Sequence, residues 1–253
     1  MISMMTDTKR SESLPCTLEE ISRIGGNVRE RLSADMMLLI GQLRNAMQID
    51  PAANLPDYSA MLTACLELLS AFSGMERENI NRGYGWLFMS LGRRLERAIY
   101  LARQLRVITK PLATENWVFL ELLLEVADSS VTYRTRYYTT LQPLPVLDVL
   151  LADETNPRSL GFQLSHIVEL YEKLPRHVPS ELETMQAALK TLRGFDLQEI
   201  SHSSSKNNSR RDDGMNQLDR HLAELENLLP SWSNNLSSQY FSHARTLPIT
   251  MGQ

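Results

Sequence analysis

Cysteine is scarce in this chain of 253 residues, which contains only Cys16 and Cys65 and no CxxC pair. Two isolated cysteines argue against a disulfide framework and against a zinc site, and they indicate a reducing compartment. Glycine is also sparse, and no stretch alternates apolar and polar residues with the period of a strand. The sequence therefore predicts an all-α protein whose core needs no cross-links.

Recognisable catalytic and nucleotide-binding motifs are missing as well. The sequence contains no GxGxxG, no Walker loop, no HExxH and no GxSxG. Its five histidines are scattered, and we interpret each one as a surface or capping residue. We therefore expect neither a metal ion nor a cofactor.

Charge and hydropathy argue against two classes of partner. The net charge is −4, which gives no reason to expect nucleic acid. The most apolar run, residues 117–126, contains two glutamates, whereas a membrane span needs about 20 mostly apolar residues. The first ten residues contain no apolar signal region. We therefore predict a cytoplasmic protein without a membrane partner.

Apolar residues recur with the spacing of a buried helical face through most of the chain. This spacing predicts a multi-helix bundle of about seven or eight helices over residues 17–241. A flexible leader (1–16), a mobile polar loop (200–214) and a frayed tail (242–253) are expected around and within it. The predicted helices cover 17–49, 58–77, 85–109, 114–141, 143–151, 156–174, 180–194 and 215–241. The fourth helix is apolar almost all round in its first half, which favours a central position.

The third predicted helix carries most of the positive charge. Residues 82–110 contain seven basic side chains and one acid, Glu96, so this stretch is +6 and the remainder is −10. Glu96 follows the core residue Leu95 and therefore flanks the buried face of the helix. Gly92 lies one turn earlier, and a glycine inside a helix indicates that another group approaches closely.

Three interpretations of this charge remain open. Glu96 can neutralise its neighbours Arg93 and Arg97 in an ion-pair lattice that fixes the helix. The arginines can instead form a basic patch that receives an anion or an acidic partner. The third interpretation is a catalytic Glu96 beside an arginine-lined anion pocket.

A second polar cluster contains Tyr133 and Arg134, followed by Arg136. The two arginines fall on different faces of the helix, and an arginine–tyrosine pair can form either a hydrogen-bond network or part of an anion site. Asn156 and Pro157 are typical of an N-cap and a first helical position. Arg158 would then lie near a helix N-terminus and could add a third arginine to an anion site.

Residues 85–98, which include Gly-Arg-Arg-Leu-Glu-Arg-Ala, resemble the signature of the bacterial alpha-E domain family, a helical domain named for its Glu-Arg motif. Residues 27–33, 133–134 and 156–159 resemble further family segments in the expected order. The resemblance covers about residues 20–245. Family members begin with another Glu-Arg helix upstream, so we expect this chain to be the later part of the domain.

The resemblance implies a role rather than a reaction. Family members lie beside, or are fused to, circularly permuted ATP-grasp amide ligases and transglutaminase-like proteins. This implies an accessory or interaction domain that docks a ligase or its peptide substrate through the Arg-rich helix. The alternatives are an enzyme that uses Glu96, and a structural fragment that a partner chain completes.

Overall fold

The computed structural model describes residues 2–46, 53–109, 117–138, 140–195, 197 and 208–241. Across these ranges it contains eleven α-helices and no strand, so the all-α prediction is confirmed. A 3₁₀ turn at Arg29–Arg31 and a π-helix at Asp148–Ala152 connect some of them. The helices are α1 (Ile2–Thr6), α2 (Leu14–Asn27), α3 (Ala34–Ala46), α4 (Leu55–Asn79), α5 (Tyr84–Ile108), α6 (Trp117–Val126), α7 (Ser130–Tyr137), α8 (Pro143–Leu147), α9 (Leu160–Glu172), α10 (Pro179–Arg193) and α11 (Asn208–Phe241).

The helices outnumber the predicted seven or eight because two long predicted helices are divided. The first ends as α2 at Asn27, directly after Gly25 and Gly26, the two residues with the poorest helix propensity in that stretch. The fourth divides at Asp128, whose left-handed backbone (φ 51°) cannot continue a right-handed helix. Helix α1 adds a further element within residues 1–16, which were predicted to be a flexible leader.

The chain divides into two compact units, residues 1–86 and 87–253, and the boundary falls in the first turn of α5. The first unit contains α1 to α4. Its core forms where α2, α3 and α4 pack together, around buried Leu18, Leu43, Tyr58, Met61 and Cys65. Helix α4 begins with a capping box between Asn54 and Asp57, which satisfies two backbone N–H groups.

The second unit is built on α5, and the predicted apolar stripe of this helix is confirmed. The six residues expected on its buried face are all buried: Leu87, Leu91, Leu95, Ala98, Ala102 and Leu105. Their spacing of three and four residues places them on one side of the helix. Ile99, Leu101 and Ile108 are also buried, so the buried surface of α5 is wider than this stripe.

Helix α6 does not have the central position predicted for it. Leu120, Leu123 and Leu124 are buried and Phe119 is half-buried, but the remaining apolar residues of the helix are exposed. The exposed ones are Trp117, Val118, Leu122 and Val126. The helix packs on α7 and α8 with one face only, so the uniform apolar composition of its sequence does not match its burial.

Helix α9 begins three residues later than predicted. Ser159, not Asn156, is its N-cap, because the Ser159 Oγ accepts a hydrogen bond from the Phe162 N–H at 3.0 Å. Asn156 is buried before the helix, where its Nδ2 donates to the Val149 carbonyl at 2.9 Å and to the Ser129 Oγ at 3.2 Å. It therefore holds the preceding loop against the π-helix rather than capping α9.

Parts of the two predicted mobile segments lie outside the described residues. Residues 200–207 and 242–253 belong to that portion of the chain, whereas residues 208–214 form the start of α11. None of the helices described here combines the length and the apolar character that a membrane crossing requires.

Candidate functional site

Glu96 and Arg97 open into a cavity of about 320 Å³, which we call the Glu96 cavity. The i, i+4 spacing of a helix places Glu96 above Tyr100 and Arg97 above Leu101 on the surface of α5. The end of α6 and the loop before α9 close the other sides. The cavity is lined by Glu96, Arg97, Tyr100, Leu101, Gln104, Val126, Ala127 and Arg158.

Charged groups and apolar groups meet in this cavity. Leu101 and Ala127 are buried, and Arg97 is half-buried. Glu96 is exposed, and the ring of Tyr100 is 59% exposed. An apolar floor with a small number of charged and polar groups around it is the usual composition of a small-molecule binding site.

The carboxylate of Glu96 takes part in no ion pair and no hydrogen bond with any residue that the structure describes. Within those residues, the interpretation of Glu96 as the centre of an ion-pair lattice is therefore wrong. Glu96 follows Leu95 by about 100° around the helix, as expected, but its side chain extends into solvent beside the cavity. The carboxylate is consequently accessible to a ligand or a partner.

Arg158 reaches the cavity from the opposite side. Its Nη2 donates to the Asp128 Oδ2 at 2.8 Å, in an ion pair whose side chains are 40% and 75% exposed. Asp128 is the residue whose left-handed backbone separates α6 from α7. That turn therefore orients Arg158 toward α5, which the sequence did not predict.

Arg93, a predicted site residue, does not line the Glu96 cavity. It is half-buried, and burial lowers the pKa of its guanidinium. Its neighbour Arg94, which was not among the predicted site residues, is also half-buried. Arg94 donates to the Gln163 Oε1 at 3.2 Å and its guanidinium lies 4.8 Å from the centre of the Phe162 ring. Arg94 therefore joins α5 to α9 through a structural contact.

Gln163 extends this contact to the loop that carries Arg158. Its Nε2 donates to the Pro157 carbonyl at 2.6 Å, and the side chain is fully buried. A polar side chain that is buried with both ends of its amide bonded fixes the groups that it joins. Gln163 and Arg94 thus position the 156–159 loop, and Arg158 with it, relative to α5.

Tyr133 and Arg134 lie in a different place from the Glu96 cavity. Tyr133 is buried, and its hydroxyl donates to the Thr140 carbonyl at 3.3 Å and accepts from the Gln142 N–H at 3.2 Å. Arg134 is exposed, and it lines a second cavity of about 380 Å³ together with Tyr133 and Trp117. The structure therefore brings Tyr133 and Arg134 to one cavity, which is separate from the Glu96 cavity.

The adjacent Arg136 forms the ion pairs of this region. It contacts Asp148 at 3.2 Å and Asp153 at 2.8 Å, and the Tyr137 hydroxyl donates to the Asp148 Oδ2 at 2.5 Å. Burial, together with the hydrogen bond to Asp148, raises the pKa of Tyr137 to about 12. Arg136 thus links α7 to the π-helix.

Gly92 does not mark the close approach that was predicted. A Cβ atom placed on Gly92 would meet no atom within 4 Å. A glycine that does lie close to another backbone is Gly161 in α9, where a Cβ would lie 3.1 Å from the Leu151 carbonyl and 3.2 Å from the Ala152 carbonyl. Close packing of α9 on the π-helix therefore depends on Gly161.

Comparison with known proteins places the chain in a family. Residues 1–241 match the model of the Alpha-E family, described as a predicted alpha-helical domain with a conserved ER motif. The chain is 27% identical over 214 residues to the uncharacterized protein Rv2567 of Mycobacterium tuberculosis (strain ATCC 25618 / H37Rv) and equally to the uncharacterized protein Mb2597 of Mycobacterium bovis. The match covers 79% of this chain but 24% of each relative, so the chain spans about a quarter of their length.

No solved structure matches this chain. The family assignment therefore rests on the sequence match, which extends over all the helices described above. The chain belongs to the Alpha-E family of helical domains.

Proposed function

We propose that this chain is a non-catalytic accessory domain of an ATP-grasp-type peptide or amide ligase system. It docks the ligase or its peptide substrate through the face of α5 that carries Glu96 and Arg97. The observation that carries the proposal is the Glu96 cavity, where the Glu-Arg pair of the family-like segment faces a binding-sized space together with Arg158.

The composition of the cavity supports binding by a partner. Arginine and tyrosine are over-represented among residues that contribute most to interface affinity, and Arg97, Tyr100 and Arg158 line the same space. The relatives supply a second argument. Because the matched region is 24% of their length, an Alpha-E domain in those proteins is one part of a longer chain. An accessory role fits this arrangement.

An enzyme that uses Glu96 as an acid or base is the alternative that the cavity also permits. Glu96 is exposed beside Arg97 and Arg158, as that hypothesis requires. The lining of the cavity, however, contains no serine, cysteine or histidine, and no described side chain orients the Glu96 carboxylate. A catalytic base usually has a positioned nucleophile and an orienting partner, so binding is the better-supported function.

The third hypothesis, a fragment that a partner chain completes, is favoured by the exposed face of α6. Trp117, Val118, Leu122 and Val126 are each more than half exposed. Sedimentation analysis and tryptophan fluorescence of the chain, each with and without its ligase, would separate completion by a partner chain from docking through α5. Completion predicts burial of Trp117 and a large change in its fluorescence, whereas docking through α5 leaves Trp117 unchanged.

The experiment that tests the proposal is affinity capture of the chain from its native host, followed by identification of bound proteins by mass spectrometry. We expect an ATP-grasp-type ligase or its peptide substrate to be enriched by the wild-type chain. Arg97→Glu should abolish the enrichment, because it reverses a charge in the cavity lining. Arg103→Glu is the matched control, since Arg103 is an exposed arginine of α5 outside the cavity.

Two results would contradict the proposal. One is capture without any ligase or ligase substrate. The other is an equal loss of captured partner with both variants, which would show that the net charge of α5, rather than the cavity, holds the partner.

Cytoplasmic localisation and the position of the chain in the later part of the family domain stay predictions.

A further inference from the structure

We infer that the Glu96 cavity binds a small zwitterion, a molecule with one carboxylate and one ammonium group, of which a free α-amino acid is the simplest. The inference rests on the proposed function, because it names the ligand class of the same site. It follows from three features of the cavity, which are its cations, its unpaired anion and its size.

The cations suit a carboxylate. A guanidinium carries five N–H donors in a planar fork that matches the two oxygens of a carboxylate. Within the described structure, the guanidinium of Arg158 makes one hydrogen bond, from Nη2 to Asp128. That ion pair is exposed on both sides, and exposed pairs contribute little to stability. A ligand carboxylate can therefore share Arg158 with Asp128 or replace it, with Arg97 in the same lining.

The anion suits an ammonium group. Glu96 lines the cavity beside two arginines, and no cation of the described residues lies within ion-pair distance of it. A ligand that carried only an anion would be attracted by Arg97 and Arg158 but repelled by the Glu96 carboxylate. An ammonium group on the same ligand removes this conflict. The combination therefore discriminates in favour of a zwitterion and against either charge alone.

The size and the apolar wall suit a molecule no larger than an amino acid with an aliphatic or small side chain. The cavity volume of about 320 Å³ is at the lower end of the range for small-molecule sites, about 300–1,000 Å³. Leu101, Val126 and Ala127 give a hydrocarbon surface next to the charged groups. An amide ligase joins a carboxylate to an amine, and an amino acid carries both, so the ligand belongs to the class that such an enzyme consumes.

The test is calorimetric titration of the full chain with L-leucine and L-alanine and with their blocked derivatives. N-acetylation removes the ammonium charge, and conversion to the amide removes the carboxylate. We expect at least one of the two amino acids to bind. Each of its blocked forms should bind at least about tenfold more weakly, which is the loss typical of one charged contact. Weak binding that is equal for the free and the blocked forms overturns the inference.

Variants assign each charge to a residue. Glu96→Gln should remove the discrimination against the N-acetyl derivative, and Arg158→Met should remove the discrimination against the amide. Glu169→Gln and Arg103→Met are the matched controls, because both residues are exposed and outside the cavity lining. Circular dichroism melts of all four variants show whether each one is folded.

The outcomes separate the inference from the proposed function. If neither amino acid binds while ligase capture still depends on Arg97, the ligand class is wrong and the docking role stands. If an amino acid binds with the predicted discrimination but no ligase is captured, the ligand class stands and the accessory role is wrong. Discrimination that persists in both Glu96→Gln and Arg158→Met would overturn the assignment of the site to this cavity.

Discussion

The two halves of α5 use their charges differently. Near its C-terminal end, Arg106 donates to Glu226 at 2.6 Å and to Asp219 at 3.3 Å, and Thr109 also donates to Asp219. The two acids hold the pKa of Arg106 above its usual range. In the middle of the helix, Glu96 has no such partner among the described residues and faces a cavity instead. Ion pairs with α11 therefore hold the C-terminal end of α5, whereas no ion pair with a described residue holds the Glu96 carboxylate.

The charged residues of α5 therefore differ in the contacts that they make. The arginine at the C-terminal end joins α5 to α11, so it contributes to folding. In the middle of the helix, Glu96 forms no ion pair with a described residue of another helix. The Glu96 carboxylate is therefore available for binding. Substitutions of residues whose polar groups have described partners should therefore lower the free energy of unfolding. Substitutions of Glu96 should weaken ligand or partner binding alone.

The largest loss of stability should come from Asn156→Ala in the closed network before α9. Asn156 is 5% exposed, and its removal leaves the Val149 carbonyl and the Ser129 hydroxyl without a donor. Unsatisfied buried groups cost about 1–3 kcal/mol each, so we expect the free energy of unfolding to fall by about 2 kcal/mol. Urea denaturation measures it.

Asn227→Ala is the control for this prediction. The side chain of Asn227 is exposed on α11, and among the described residues its one hydrogen bond is to the Ala223 carbonyl within its own helix. We expect its replacement to change the free energy of unfolding by less than about 0.5 kcal/mol. A similar loss in both variants would mean that the loop before α9 is not a closed network.

A smaller loss is expected from Arg106→Met at the closed end of α5. The side chain of Arg106 is 31% exposed, and those of its partners Asp219 and Glu226 are 34% and 22% exposed. Partial exposure screens the ion pairs, so we expect a loss of about 1 kcal/mol in the free energy of unfolding. Arg103→Met, on the exposed side of the same helix, should be neutral. If the two variants lose equal stability, the contrast between closed and open charges fails.

The third effect is confined to alkaline pH and concerns the closed cluster around Arg136. The folded-state pKa of Tyr137 is about 12, against an ordinary value of 10.0. Its contribution to stability is therefore complete below about pH 10 and is lost as the pH rises from about 10 to 12, because the unfolded chain ionises first. Urea denaturation at pH 9 and at pH 11 should show a smaller decrease for Tyr137→Phe than for the wild-type chain. An identical decrease would contradict the buried hydrogen bond to Asp148.

The smallest effect on stability should come from Glu96→Gln in the open part of α5. Glu96 is exposed and lacks a described ion pair, so the free energy of unfolding should change by less than about 0.5 kcal/mol. The variant should nevertheless lose discrimination between an amino acid and its N-acetyl derivative. A destabilisation as large as that of Arg106→Met would return Glu96 to a structural role.

Local patterns in the sequence were sufficient for much of the fold. The all-α class and the buried stripe of α5 from Leu87 to Leu105 follow from residue spacing along one helix, which needs no knowledge of its neighbours. The family assignment likewise rests on contiguous segments. The helix count was too low by three: α1 was not predicted, and the divisions after Gly25-Gly26 and at Asp128 were not counted. The division at Asp128 depends on a single left-handed residue, which leaves no strong signal in the sequence.

Contacts between distant residues were not predictable from one sequence. Asn156 and Ser159 are both favourable N-caps, and only the packing of Asn156 on Val149 decides between them. Of the candidate site residues, the structure brings Glu96, Arg97 and Arg158 together, whereas Tyr133 and Arg134 lie elsewhere.

The positions of Arg158 and Arg94 show what the sequence left out. Arg158 reaches the cavity through its pair with Asp128, and Arg94 contacts Gln163 on α9. Each contact joins residues that are far apart in the chain, so neither leaves a local motif. The charge of a residue can be read from the sequence, but the ion pairs and hydrogen bonds that it forms in the fold cannot.

The central proposal is that the Glu-Arg pair of α5 is a docking site. It is tested most directly by the affinity of the purified ATP-grasp-type ligase for the immobilised chain, measured for the wild type, Arg97→Glu and Arg103→Glu. We predict a loss of at least about tenfold for Arg97→Glu and a change of less than about twofold for Arg103→Glu, because a reversed charge affects binding most where it contacts the partner. Equal affinity for all three chains would contradict the claim.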